Sequence, residues 1–379
     1  MLKLDLLKQG GVWDKLRLTH PDGQTAIIEI NSTNPKKIRL SIDAPREIDI
    51  QRIENEVIQT TSGSLEASIL CGAIGDAWGY TLEHKRLPLI HRLYGEQGLQ
   101  EPQFKDGKLV VTDDTQMSLF TLEAVLDVTD SDSIDRIAER IRLAYLDWYQ
   151  TQKDDPLEEA TTGKIWRMPE MNGMRAPGQT CMKAMAGGGA GTLEMRINDS
   201  KGCGTCMRTA AIGLIAKWNP ETTFEIGMRA SVITHGHDTG ILSGGAMAAI
   251  CRYLIDGEEL LDAILKTRDI LISHDNHGET LNCIDLALTL ADSDDQPLQA
   301  IKKIGLGWIA EEALGIGVYS ALKADNYKDC IRMAINHDGD SDSTGSIAGQ
   351  LWGAEHGMDG IPDGWEAAID VLPVIRKLI

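Results

Sequence analysis

The stretch SLEASILCGAIGDAWGYTLE, residues 64–83, decides the fold, because its apolar side chains recur at the spacing of an α-helix. Leu65, Ile69, Leu70 and Ile74 fall on one face of that helix. The same period recurs further along the chain, at residues 117–128, 134–149, 209–218, 241–255, 259–272 and 343–356. The sequence therefore predicts an all-α body that begins near residue 61.

Residues 1–60 have a different, alternating pattern, which is typical of half-buried strands. Residues 16–20, 25–30 and 37–42 alternate apolar and polar side chains, and turn-forming residues separate them. The region holds nine basic and nine acidic side chains, so the remaining chain carries all of the net charge of −20. We predict a small β-rich extension over residues 1–60, with about three strands, and a separate domain over residues 61–379.

Composition sets broad limits on function. The chain has 379 residues, of which 42% are hydrophobic and 25% charged, as in ordinary globular proteins. Its acidic balance disfavours nucleic-acid binding, which depends on Lys and Arg contacts to phosphates. No apolar run reaches the roughly 18 residues of a membrane span, and the start resembles no secretory signal. We expect a cytoplasmic protein without membrane contacts.

Seven cysteines are scattered along the chain, which disfavours a disulfide framework. Cys203 and Cys206 alone have the spacing of metal ligands. A structural zinc site would need two further ligands, and no second pair with that spacing supplies them.

The first acidic cluster is Thr112-Asp113-Asp114-Thr115-Gln116, directly before an apolar helix. A capping box, with Asp113 as the N-cap and Gln116 completing it, would explain one of the two carboxylates. It does not explain two adjacent carboxylates flanked by hydroxyls, which suit a hard cation.

The second cluster, GDSDST at residues 339–344, places Asp340 two residues and Asp342 four residues after Asp338, again before a helix. Neighbouring carboxylates repel one another unless a cation compensates their charge. A calcium loop counted from Asp338 would need Gly where Ser343 stands and Glu where Gly349 stands, so that alternative fails.

Six segments together resemble the ADP-ribosylglycohydrolase family in order and spacing, over residues 62–357. They are GAIGDAWGYTLE at 72–83, TDDTQMS at 112–118, RAPGQT at 175–180, GCGTCMR at 202–208, THGHDTG at 234–240 and GDSDSTGSIAG at 339–349. The resemblance implies a compact helical catalytic domain over residues 61–379, with two Mg²⁺ or Mn²⁺ ions at the base of a cleft.

The resemblance also implies roles for single residues. The metal ligands would be Thr112, Asp113, Asp114, Asp340, Asp342 and Ser343, where Ser343 replaces the family's usual Thr and keeps the hydroxyl. Glu83, Asp113 and Asp340 are the candidate catalytic residues, as proton donors or acceptors. Segments that hold ADP-ribose in relatives contain Gly178, Gly202, Gly204, Met207, Arg208 and His235. Cys203 stands where the family commonly has Asn, which puts the diphosphate contacts or substrate preference in doubt.

The expected function is hydrolysis that removes ADP-ribose from modified protein side chains, most readily arginine, and so reverses an ADP-ribosyltransferase. Serine-linked or small-molecule ADP-ribose is the nearest alternative. A different alternative is an immunity or regulatory protein, in which residues 1–60 dock on an ADP-ribosyltransferase or toxin and block it. The sequence alone does not decide between these leaving groups or partners.

Overall fold

The structure is a computed structural model that describes residues 3–9, 12–19, 25–34, 37–43, 61–129, 131–153 and 163–379, with side chains from Ser64 onward. The chain forms two compact units, residues 1–57 and residues 58–379. The helical unit carries the acidic clusters and all of the candidate site residues.

Four strands are described in the N-terminal unit, where about three were predicted. They are β1 (Lys3–Gln9), β2 (Val12–Thr19), β3 (Thr25–Asn34) and β4 (Lys37–Asp43). Each pairs antiparallel with the next in the order β1-β2-β3-β4. The register places Leu16 opposite Ile28, and Ile28 opposite Ile42. Residues 44–60 lie outside the described residues, so the predicted extent of the extension toward residue 60 stays a prediction.

The second unit is helical, which confirms the predicted fold class. Its helices are α1 (Thr61–Tyr80), α2 (Leu87–Tyr94), α3 (Asp113–Leu126), α4 (Ile134–Thr151), α5 (Gln179–Ala186), α6 (Cys206–Gly213), α7 (Pro220–Val232), α8 (Asp238–Ile255), α9 (Leu260–Ile272), α10 (Gly278–Ala291), α11 (Pro297–Ile304), α12 (Ala310–Lys323), α13 (Tyr327–Ile335), α14 (Ser341–His356), α15 (Trp365–Ala368) and α16 (Leu372–Leu378). Short 3-10 helices lie at Ile165–Arg167, Pro169–Met171 and Cys203–Thr205. One continuous apolar core joins most of these elements.

Two sequence interpretations differ from the structure in detail. The periodicity predicts a helix over residues 209–218, but α6 ends at Gly213. A Cβ on Gly213 would lie 2.0 Å from the Ala248 carbonyl oxygen, so this glycine is where α8 crosses closely. The stretch 150–204, predicted as long loops, contains α5 and two of the 3-10 helices among its described residues.

A seam of small residues joins α1 to α14 in antiparallel order. A Cβ on Gly75 would lie 2.1 Å from the Gly345 carbonyl oxygen, and one on Gly79 would lie 2.0 Å from the Ser341 carbonyl oxygen. Further along the helix pair, a Cβ on Gly349 would lie 2.3 Å from the Cys71 carbonyl oxygen. The contacts recur every four residues on both helices, as in packing of the i±4 ridges. Only residues without a Cβ permit this approach.

Among the described residues, no helix is both long enough and apolar enough to cross a lipid bilayer.

The seam gives a stability prediction. Substitution Gly75→Ala should lower the free energy of unfolding by at least about 2 kcal/mol, because the new methyl group meets backbone that cannot move aside. Urea denaturation followed by circular dichroism measures it. The control is Gly278→Ala, in the exposed first turn of α10, where an added Cβ meets nothing within 4 Å. That variant should be as stable as the wild type or slightly more so. Equal stability of the two variants would contradict a closely packed seam.

Candidate active site

The seam between α1 and α14 brings the second acidic cluster to the end of α1. Asp340 is the N-cap of α14, and Asp342 and Ser343 lie in its first turn. Because the two helices are antiparallel, this turn lies beside the last turn of α1, where Gly79 packs on Ser341. Glu83 follows α1 immediately, and its N–H donates to the Gly79 carbonyl oxygen at 3.2 Å. The packing thus places Glu83 beside Asp342.

The first acidic cluster is attached to α1 by Asp76. The carboxylate of Asp76, which is fully buried, accepts hydrogen bonds from the N–H of Thr112 at 3.0 Å and from the N–H of Thr115 at 3.2 Å. It also accepts from the Thr115 hydroxyl. Asp76 therefore fixes the start of α3 against α1, on the side where α14 begins.

The capping box considered for α3 is absent. The N-cap is Thr112, whose hydroxyl accepts the N–H of Asp114 at 3.2 Å. The Gln116 amide instead donates to the Met171 carbonyl oxygen and accepts from Gln152. Since Thr112 and Asp76 satisfy the helix start, the side chains of Asp113 and Asp114 are not used as caps.

Both clusters meet in one pocket of about 670 Å³, within the range of small-molecule sites. Its wall contains all three candidate catalytic residues and most of the predicted ligand and substrate residues. Those present are Glu83, Asp113, Asp114, Gly178, Gly202, Gly204, Met207, His235, Asp340, Asp342 and Ser343.

Two glycine-containing loops form the rest of the wall. The loop before α5 reaches Asp113, since the N–H of Gly178 donates to Asp113 Oδ2 at 3.2 Å. The loop before α6 lies against His235, because a Cβ on Gly202 would be 3.2 Å from His235 Nε2 and one on Gly204 would be 3.0 Å from its Cε1. At both places the absence of side chains lets a ligand approach the backbone.

The carboxylates of this pocket and the buried Asp76 raise one another's pKa values. Burial, followed by the charge of Asp342, raises the pKa of Asp76 to about 7 and the pKa of Glu83 to about 8. Burial also raises the pKa values of Asp113, Asp114 and Asp340 well above their usual range, and the Asp342 charge adds to each. The cause is desolvation plus like charge, which a cation in the pocket would relieve.

The same side chains offer free oxygen atoms to a cation. Asp114 Oδ2 and Asp342 Oδ1 are buried and have no hydrogen-bond partner. Among the described residues, no group of three or more His, Cys, Asp or Glu side chains is already arranged to hold a metal ion. Magnesium is commonly held by one or two carboxylates with waters and substrate oxygens completing its shell, so an open arrangement of hard donors fits it.

Cys203 contributes a thiol to this wall. Its Sγ donates to Asp340 Oδ2 at 2.8 Å and lies 3.6 Å from the Ser343 hydroxyl. The thiol therefore occupies a place beside the second cluster, where an Asn would present an amide of larger hydrogen-bonding capacity. Cys203 therefore meets Asp340 and Ser343 and is itself part of the pocket wall.

Two predicted site residues do not reach the pocket wall. Thr112 is fully buried, and its hydroxyl caps α3 as described above. Arg208 is also fully buried, and its guanidinium donates to the carbonyl oxygen of Ala230 and to the hydroxyl of Thr234. Arg208 does not line the pocket, and its predicted contact with substrate stays a prediction. The carbonyl and hydroxyl acceptors hold the guanidinium in the core, where its Nη1 lies 3.5 Å from the Cys181 sulfur.

Sequence reasoning missed two residues at the mouth of the pocket. The rings of His84 and Trp308 stack with centroids 5.1 Å apart and an interplanar angle of 11°. Both line the pocket, and His84 Nε2 lies 3.0 Å from Glu83 Oε1. Trp308 follows Gly305 and Gly307, which both have positive φ. That glycine spacing beside a Trp is the only sequence signal of an irregular loop at this place.

A more open cavity of about 750 Å³ lies between α7, α8 and α9. Glu221, Glu225, Lys266, Asp269 and His274 are among its lining residues. None of the six motif segments contributes to it, so the acidic pocket at the start of α3 and α14 is the candidate active site.

The family follows from comparison with known proteins. The model of the ADP-ribosylglycohydrolase family matches residues 60–379. The chain therefore belongs to the ADP-ribosylglycohydrolase family, and the predicted enzyme class is confirmed. Members of this family are generally metal-dependent.

Two curated relatives match most of their own length. The ADP-ribosyl-[dinitrogen reductase] glycohydrolase of Rhodospirillum rubrum is 24% identical over 308 residues, which cover 79% of this chain and 87% of the relative. An ADP-ribosylarginine hydrolase of Serratia proteamaculans is 23% identical over 312 residues, which cover 82% of this chain and 75% of the relative.

The fold is also found among solved structures. A chain described as an ADP-ribosylglycohydrolase-related protein complex superposes with a TM-score of 0.57 at 21% identity. The match covers 84% of this chain and 96% of the other. At this identity the likeness concerns the fold alone.

Mutual repulsion in the pocket gives a prediction on cation binding. At about 100 times its Kd, Mn²⁺ or Mg²⁺ adds about 2.7 kcal/mol of stability, which raises Tm by about 3 to 4 °C in a chain of this size. Substitution Asp114→Asn should remove most of that shift. Without the cation this variant should melt no lower than the wild type, because one repelling charge is lost. Differential scanning fluorimetry with added metal or chelator measures the Tm of each variant with and without the cation.

The matched control is Asp363→Asn, which changes an exposed carboxylate outside the pocket. Its Tm shift on adding the cation should equal that of the wild type. A full shift in Asp114→Asn would show that the buried carboxylate takes no part in cation binding.

Proposed function

We propose that this chain hydrolyses the glycosidic bond between ADP-ribose and a protein side chain, that the side chain is arginine, and that two Mg²⁺ or Mn²⁺ ions assist the reaction. The single observation that carries the proposal is the meeting of two acidic helix starts, α3 and α14, in one pocket walled by glycine loops. The proposed reaction reverses the modification made by an ADP-ribosyltransferase.

The cations would be held by Asp113, Asp114, Asp340 and Asp342 with the hydroxyl of Ser343, all in the pocket wall. The side chain of Thr112 does not line the pocket, because its hydroxyl caps α3. Thr112 would therefore contribute through its backbone, or by fixing the start of α3. When bound, such ions orient vicinal hydroxyls of a sugar and increase the acidity of water near the anomeric carbon. Oxygen donors of this kind select hard cations over zinc or copper.

The protein groups around the cations have separate tasks. Gly178, Gly202 and Gly204 leave room for a diphosphate to approach backbone N–H groups, which bind anions well. Glu83 lies in the wall with only 12% of its side chain exposed, and it can exchange a proton with the departing side chain or with water. Departure of the leaving group generates an oxocarbenium-like sugar, which the surrounding carboxylates stabilise by their negative charge.

Arginine is the leaving group that the mouth of the pocket favours. The stacked pair of His84 and Trp308 presents a planar aromatic surface next to the Glu83 carboxylate. A guanidinium is planar and cationic, so it stacks on aromatic rings and pairs with carboxylates, whereas a serine hydroxyl does neither. The name of the Serratia relative, an ADP-ribosylarginine hydrolase, supports the same substrate.

The test of the proposal uses two modified proteins, one ADP-ribosylated on arginine and one on serine, each incubated with Mg²⁺ or Mn²⁺ and then with chelator. Release of ADP-ribose from the arginine-linked protein, and its loss with chelator, is the expected result. The variant carrying Asp113→Ala and Asp114→Ala should lose at least about 100-fold in rate. Asp363→Ala should keep the wild-type rate, because this residue is exposed and outside the pocket. Release from neither protein would reject the proposal, and release from serine alone would reject arginine as the leaving group.

The aromatic pair gives a second prediction. Substitution Trp308→Ala should raise KM for the arginine-linked protein by about tenfold, since a cation–aromatic contact contributes about 1 kcal/mol or more when partly desolvated. A small O-linked ADP-ribose substrate should be affected much less. Steady-state kinetics on both substrates measure the difference. Equal changes in KM for both substrates would show that Trp308 does not recognise the leaving group.

The docking role of residues 1–60 on a transferase or toxin remains a separate prediction, as does a cytoplasmic location. Side chains of that segment lie outside the described residues. Two variants distinguish blocking from hydrolysis in an assay of protection against a transferase. If residues 1–60 block the transferase, the Asp113→Ala, Asp114→Ala variant should still protect and a variant lacking residues 1–60 should not.

A further inference from the structure

Arg208 is a buried cation that the proposed chemistry leaves unexplained. It lies on α6 with none of its surface exposed, and its guanidinium carbon is 4.5 Å from the centre of the Tyr145 ring. Its Nη2 donates to the Ala230 carbonyl oxygen at 3.0 Å and to Thr234 Oγ1 at 2.7 Å. Among residues 64–129, 131–153 and 163–379, whose side chains are described, no carboxylate forms an ion pair with it. Burial of a charge without an anionic partner is costly, so a compensating role is expected.

The hydroxyl of Thr234, which accepts from Arg208, also forms a hydrogen bond with His235. Thr234 Oγ1 lies 2.7 Å from His235 Nδ1, which is the usual distance when a hydroxyl is the donor. The other acceptors within reach are the Ser231 carbonyl oxygen at 3.4 Å and the Cys181 sulfur, which is a weak acceptor. That carbonyl already accepts the N–H groups of Thr234 and His235, at 3.2 and 3.0 Å. The hydroxyl proton is therefore directed to Nδ1.

The protonation of His235 follows from this bond. Burial, and to a smaller extent the Arg208 charge, lower the pKa of His235 to about 3, so the ring is neutral at physiological pH. A neutral imidazole that accepts at Nδ1 must carry its proton on Nε2. No described residue offers Nε2 a hydrogen-bond partner, and Nε2 lies at the wall formed by Gly202 and Gly204.

We propose that Arg208 is a positioning residue which acts through the Thr234 hydroxyl to hold His235 with Nδ1 as acceptor, so that its Nε2–H donates into the pocket to an anionic oxygen of the ligand. The chemical class of that ligand group is a phosphate ester or diphosphate. Its identity as the diphosphate of ADP-ribose rests on the proposed function.

A neutral donor suits this pocket better than a charged one. A protonated imidazole would place a second buried positive charge close to Arg208, which repels it. A neutral N–H still bonds a charged oxygen strongly, as charge-assisted hydrogen bonds do. The buried Arg208 polarises the Thr234 hydroxyl. It thereby favours the orientation in which Arg208 donates to Thr234 and Thr234 donates to His235.

The experiment uses the full chain with ¹⁵N-labelled histidine and three variants: Thr234→Val, Thr234→Ser and His235→Ala. Nitrogen chemical shifts of His235 report which ring nitrogen carries the proton. The wild type and Thr234→Ser should show a proton on Nε2 alone, and Thr234→Val should show a mixture of the two tautomers. An unchanged tautomer in Thr234→Val would overturn the proposal, as would a proton on Nδ1 in the wild type.

Binding measurements test the consequence in the pocket. Affinity for ADP-ribose, measured by calorimetry, should fall about tenfold in Thr234→Val, because one hydrogen bond to a charged group is weakened. Thr234→Ser should restore it, and affinity for adenosine, which lacks phosphates, should not change. In the His235→Ala background, Thr234→Val should cause no further loss of ADP-ribose affinity. A tenfold loss that persists without the imidazole would assign the effect to general destabilisation and overturn the proposal.

Failure of the proposed function gives a different result. If the wild type does not bind ADP-ribose but shows the Nε2 tautomer and its loss in Thr234→Val, the positioning role holds and the assigned ligand is wrong. The same binding assay with inorganic pyrophosphate then tests the anion site without the nucleoside. If Thr234→Val does not fold, Arg208→Lys with the same nitrogen shifts replaces it, since lysine keeps the charge but cannot make both bonds.

Discussion

The close approach of α1 and α14 is the constraint on which the rest of the structure depends. Backbone meets backbone along this pair, because Gly75, Gly79, Gly345 and Gly349 have no Cβ to separate the helices. The antiparallel direction then brings the end of one helix to the start of the other. Both the position of Glu83 and the position of the second acidic cluster are consequences of this packing, and a wider helix pair would move them apart.

Asp76 gives α1 a second organising role. It is buried in the same helix as the glycine seam, and it binds the start of α3 through Thr112 and Thr115. One helix therefore aligns both acidic clusters. The free energy that this arrangement requires is considerable, since five carboxyl groups have raised pKa values through burial and mutual repulsion. Such unfavourable electrostatics inside a stable core are typical of functional sites.

The pocket separates two kinds of polar group. Carboxylates collect on the side of α3 and α14, and backbone N–H groups with a neutral histidine collect on the side of the glycine loops. Under the proposed function, cations would bind on the first side and the anionic groups of the ligand on the second. Arg208 is buried behind the wall, where it donates to Thr234 and does not line the pocket.

The sequence alone determined the helical class, the period of most long helices and the two acidic clusters, because periodicity and adjacent carboxylates are local features. Resemblance in six segments added the family, which comparison confirmed. Tertiary structure decided what local patterns do not contain. Thr112 caps α3 where Asp113 was expected, Arg208 donates to Ala230 and does not line the pocket, and Trp308 stacks with His84 at the pocket mouth. Each depends on partners distant in sequence, such as Asp76 for α3 and Ala230 for Arg208, and only the folded chain supplies them.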